Sequence, residues 1–186
     1  MQTTVIKETR YSKQGKLLEP IGDTVFIEGM KHGKFCKKRH RSYAVLLYYS
    51  AIRREEGLRC VPEQFTVLKR KIIFEVGKRL KHGIRTPPLT IPRDAFFVEE
   101  LVEAIRETPK GNRIWDYCAK TAYNIIDRAF GFYPHFFRLS RITNFFLEGW
   151  TIAQVHSWTG LTLKALDFYL GLVEIDRMGM SLAKKT

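Results

Sequence analysis

A single block of β-branched and aromatic residues, Thr66-Val67-Leu68 and then Ile72-Ile73-Phe74-Glu75-Val76, is set into a chain whose other apolar residues recur at helical spacing. So short a block supports one small sheet, while the remaining pattern demands helices. Gly77 to Gly83 reads as a turn carrying Lys78 and Lys81, and Arg85 to Ile91 as the returning strand. Pro87, Pro88 and Pro92 assign that strand to a sheet edge, because proline cannot donate to a ladder. The block is therefore expected to form a small β-hairpin with a basic tip.

Ser42 is expected to cap a helix running to about Gly57, with Ala44, Leu47, Tyr48 and Ala51 on its inner face. Beyond the hairpin, helices are predicted over Phe96–Arg106, Ile114–Phe130, His135–Leu147, Ile152–Trp158 and Leu163–Leu170. Trp115, Cys118, Ala122, Ile125, Ile126 and Ala129 make the apolar stripe of the second of these. Gly131, Gly149 and Gly160 are the stops. Residues 1–40 read as a basic, flexible arm with one short strand at Thr24–Glu28. Residues 41–186 make the domain, with a tail segment from about residue 173. The fold class is α+β and mostly helical.

Lys and Arg number 32 against 19 Asp and Glu, a net charge of +13. Such an excess calls for a polyanion partner, DNA or RNA. The run Lys37-Lys38-Arg39-His40-Arg41 is either a solvated tail or a phosphate-contacting arm. Cys36, Cys60 and Cys118 lack metal-ligand spacing and are expected to be buried thiols in a reducing compartment. No apolar run has the length of a membrane span, and the N-terminus has no secretory core. The expected location is cytoplasmic, with no membrane, metal or cofactor.

Phosphodiester cleavage without a metal needs cations around the phosphorus, an in-line nucleophile and an acid for the leaving oxygen. Arg53 and Glu56 share one face near a helix end, so the carboxylate can orient the guanidinium. Lys78 and Lys81 are candidate acids at the hairpin tip. His135 and Arg138, three apart, project from one helix face and can hold a phosphate. Tyr169 lies between Leu166 and Leu170 on a later helix, where its hydroxyl can act as the nucleophile. Taken singly, each has an ordinary structural explanation: a surface pair, a solvated turn, a core histidine, a packed tyrosine.

In this order the four elements resemble the catalytic domain of the tyrosine recombinase, or phage-type integrase, family. Ala51-Ile52-Arg53-Arg54-Glu55-Glu56 is similar to its first arginine box. Gly77-Lys78 with Arg85-Thr86-Pro87-Pro88-Leu89 looks like its lysine hairpin. His135-Phe136-Phe137-Arg138, trailed by Gly149, resembles its second box. The resemblance implies that Arg53 and Arg138 clamp the scissile phosphate, with Glu56 supporting Arg53. It further implies Lys78 as general acid, with Lys81 as the alternative, His135 in proton transfer or phosphate holding, and Tyr169 in a 3′-phosphotyrosyl link.

It implies double-stranded DNA as substrate, no cofactor, and self-association on DNA as a synaptic tetramer. Three departures stand out, one of them Ala51 where the family's first box usually has glycine. The family's Leu-Gly-His is replaced by Trp158-Thr159-Gly160, which puts Gly160 in the histidine's place, with His156 and Trp158 as nearby substitutes. The separate N-terminal helical DNA-binding domain of the family has no counterpart in residues 1–40. The expected function is a site-specific recombinase or its catalytic core. The alternatives are an inactive DNA-binding protein of the same fold, a type IB topoisomerase-like enzyme, and a structural RNA-binding protein.

Overall fold

The computed structural model describes residues 20–76 and 87–171. Helices α1 (Asp23–His32), α2 (Lys38–Ser50) and α3 (Arg54–Leu58) lead through a 3-10 turn, Pro62–Gln64, into a sheet. Strands β1 (Phe65–Val67), β2 (Lys71–Phe74) and β3 (Leu89–Pro92) follow. Then come α4 (Val98–Glu107), α5 (Ala119–Phe130), α6 (His135–Leu147), α7 (Ile152–Thr159) and α8, residues 163–171. The architecture is α+β and mostly helical.

The sheet is antiparallel in the order β1-β2-β3, with Phe65 opposite Phe74 and Ile72 opposite Ile91. The Phe65 and Phe74 rings stack at 4.4 Å, a cross-strand pair that fixes the register. Pro92 ends the edge strand β3, where its missing N–H costs no ladder bond.

α2 runs through the core, and every residue from Ser42 to Tyr48 is buried. Its apolar flank meets α4 and α6. Tyr48 stacks on Phe26 of α1 at 3.9 Å, and its hydroxyl donates to Asp23 at 2.7 Å. α1 approaches α5 so closely that a Cβ on Gly29 would lie 2.2 Å from the Phe130 ring. Only glycine fits there.

Several expected boundaries move. The strand expected at Thr24–Glu28 is part of α1, because Phe26 and Met30, four residues apart, are the buried pair while Val25 is 54% exposed. That spacing belongs to a helix, and it brings this stretch of the expected arm into the core. Ser42 is no cap: α2 starts at Lys38, and the Ser42 hydroxyl donates to the Arg39 carbonyl and accepts from Trp115 Nε1. α2 also ends at Ser50 rather than near Gly57, since Ala51 turns into the left-handed region.

Residues 114–118 are not helical. The Ile114 N–H donates to the Cys60 carbonyl and Trp115 is held by Ser42, so both side chains are buried before α5 begins. Of the three cysteines only Cys60 is buried; Cys36 and Cys118 are exposed. The hairpin tip with Lys78 and Lys81, and the tail from about residue 173, lie outside the described residues.

Candidate active site

α6 forms because Phe136, Phe137, Leu139, Ile142 and Phe145 pack inward along it. Phe137 meets Phe130 and Phe132 edge-on at 5.0 and 5.2 Å, which sets the angle at which α6 leaves α5. Arg138 is carried into the interior with them and is 1% exposed. A buried guanidinium is tolerable only when its N–H groups find acceptors. Nη1 donates to the Ala51 carbonyl at the end of α2, and Nη2 donates to the Thr159 carbonyl at the end of α7 at 3.3 Å.

Ala51 has φ 53°, ψ 24°, and Phe97 is the other non-glycine residue with positive φ among the described residues. The turn it makes starts α3 with Arg53 as N-cap. Glu56 reaches back to that cap. One carboxylate oxygen accepts the Arg53 N–H at 2.7 Å and the other accepts Nη1 at 2.9 Å. The Arg53 side chain stays half exposed at 49%, with Glu56 mostly covered beneath it.

Tyr169, on α8, is 6% exposed. Burial pushes its phenol above the ordinary value, while the positive charges of Arg138 and Arg53 pull it back. His135 opens α6 with solvent-exposed surface. Its pKa lies below the usual histidine value, first through desolvation of its inner edge, then through Arg138 and Arg53. Both arginines therefore act on both His135 and Tyr169. Arg53, Glu56, His135, Arg138 and Tyr169 converge on one cluster, although they come from α3, α6 and α8.

The remaining candidates are placed differently. Gly160 caps α7 in the left-handed conformation, φ 63°, and its N–H donates to the His156 carbonyl. His156 Nδ1 bonds the Leu161 carbonyl, which fixes the proton on that nitrogen. Trp158 packs edge-on against Phe145 and Trp150 at 5.6 and 5.7 Å. Sequence reasoning missed the Ala51 and Thr159 carbonyls. Main-chain acceptors carry no side-chain signature, so nothing in the residue types marks them. A cavity of about 290 Å³ opens beside the start of α1, lined by Asp23, Tyr48, Arg141, Asn144 and Glu148 among others. It borders none of the convergent residues. No helix among the described residues is long and apolar enough to cross a membrane.

A helical body around one three-stranded sheet, with this order of elements, is a tyrosine-recombinase catalytic-domain-like fold. The site-specific recombinase XerH in its pre-cleavage complex with difH substrate matches 90% of this chain and 57% of its own, with TM-score 0.60 and 16% identity. XerH in the post-cleavage complex with palindromic difH substrate matches 98% of this chain and 64% of its own, at TM-score 0.64 and 14% identity. The XerA recombinase matches 84% of this chain and 61% of its own, at TM-score 0.60 and 12% identity. This chain thus spans less than two thirds of the length of these solved relatives. No protein-family model matches it, and no curated protein does.

Proposed function

We propose that this protein breaks and rejoins DNA strands through a covalent tyrosine–phosphate intermediate, as a site-specific recombinase or its catalytic part. The observation that carries the reading is that Arg138 bonds the Ala51 carbonyl, two residues before Arg53, so that both charges act on His135 and Tyr169. A scissile phosphate held at the two guanidinium groups would have its developing charge met by both. Tyr169 Oη attacks phosphorus, the new O–P bond forms, and the bond to the 5′ oxygen breaks. His135, held neutral at pH 7 by its lowered pKa, is suited to take the phenol proton. Lys78 returns a proton to the 5′ oxygen in this scheme, with Lys81 as the alternative donor. The 3′-phosphotyrosyl bond keeps the phosphodiester energy for rejoining, so no nucleotide cofactor is needed. The net charge of +13 favours the DNA backbone as partner and makes binding strongly salt-dependent. Self-association on DNA, with the tail from about residue 173 docked on a neighbour, belongs to the same proposal.

A second reading is a DNA-binding protein of this fold that does not cleave. Gly160 favours it, because a glycine offers no side chain to the phosphate at the place where the family has its histidine. A pool of end-labelled duplexes, nicked near a randomised core, separates the readings. The enzyme leaves a denaturant-stable adduct that Tyr169→Phe abolishes. Mobility shift with no adduct from the wild type selects the second reading. Relaxation of arbitrary supercoiled plasmid selects a topoisomerase-like activity instead.

A further inference from the structure

The geometry points to Ala51 as a positioning residue: its left-handed backbone exists to hand a main-chain carbonyl to Arg138, and so to keep the two arginines of the site in register. The inference rests on the reading above and adds to it a residue with no reactive side chain.

Non-glycine residues enter the left-handed region rarely, and such strain persists only where surrounding structure enforces it. At Ala51 the enforcing partner is visible. A helix continued past Ser50 would spend the Ala51 carbonyl on an amide one turn later. Left-handed at 51, the chain breaks α2 there and frees that carbonyl to accept from Arg138 Nη1. Ala51 and Ile52 are both buried, at 1% and 2% exposure, so the turn has little room to relax. Two residues on stands Arg53, whose N–H and Nη1 are both tied to Glu56. The same short turn therefore anchors one guanidinium through a carbonyl and launches the other. Thr159 completes the clamp from α7, and its own hydroxyl is bonded to the Val155 carbonyl, which fixes the end of that helix. Two elements, α2 and α7, therefore set the orientation of Arg138, whose charge in turn acts on the Tyr169 phenol.

The test compares a substitution that accepts the left-handed region with one that does not. Ala51→Gly keeps the backbone and its carbonyl and adds no atoms to this buried position, so adduct formation on the nicked duplex pool should stay within about twofold of wild type. Ala51→Val forces a β-branched residue out of that region, swings the carbonyl away and should slow the adduct step at saturating DNA by tenfold or more. A readout independent of catalysis is the titration of Tyr169, followed by ring-carbon NMR and assigned with Tyr169→Phe. With Arg138 released, the phenol should ionise at higher pH in Ala51→Val and at unchanged pH in the glycine variant. If Ala51→Val does not fold, an ester in place of the 51–52 amide weakens the same acceptor with both side chains intact. Wild-type rate and wild-type titration in a folded valine or ester variant would overturn the proposal. So would equal losses in the glycine and valine variants. A wild-type protein that forms no adduct sinks the recombinase reading, while the Tyr169 titration still judges the clamp.

Discussion

Arg53 and Arg138 are the same residue type in two opposite settings, and the contrast teaches how one cluster divides its labour. Arg138 is sealed in the interior and hydrogen-bonded to carbonyls from two other elements. Arg53 stands half in solvent at the start of a five-residue helix, held by a carboxylate three residues away. The first arrangement is made by tertiary packing and serves stability and position at once. The second is local, cheap to rearrange, and open to an incoming phosphate.

Substitution should separate the two. Arg138→Ala would leave the Ala51 and Thr159 carbonyls buried without their donor, at a cost on the order of 3 kcal/mol in denaturant unfolding, and adduct formation should vanish. Arg53→Ala should cut adduct formation by about a hundredfold or more. It should change stability by under about 1 kcal/mol, as exposed ion pairs do. Equal stability losses in the two variants would erase the distinction. Glu56→Gln sharpens it further. With the carboxylate charge gone, Arg53 is steered less firmly, and about a tenfold loss of adduct rate at unchanged DNA affinity is expected.

The smallest effect concerns His135. Its folded pKa is lowered, so between that value and the unfolded one near 6.5 the unfolded chain binds more protons. The stability it contributes is present above about pH 6.5 and is lost as pH falls through that window. Because the ring is partly exposed, the slope should be shallow. Unfolding midpoints of His135→Gln measured across the same window should be flatter than wild type, and identical slopes would show that folding leaves the His135 titration unperturbed.

How legible each region was in the residues follows the same division. α6 is read from the chain to the residue, His135–Leu147, because its apolar stripe is long and Gly149 ends it. The Arg53/Glu56 pairing is likewise legible, since an i, i+3 contact depends on helical geometry alone. The errors lie where distant contacts outweigh local signal. Ser42 has the chemistry of a cap, yet its hydroxyl serves Trp115 from a remote segment. Thr24–Glu28 is β-branched and aromatic like a strand, yet Tyr48 and Phe130 stacked about Phe26 make it a helix.

The sequence by itself determined the helix-rich class, the single small sheet and the residue types of the site, because periodicity and short-range spacing are written along the chain. Only the tertiary structure decided that α2 breaks at Ala51 and that Arg138 is sealed between two carbonyls. A main-chain acceptor has no side chain to announce it, and whether a left-handed turn is worth its strain depends on a partner that packing alone delivers.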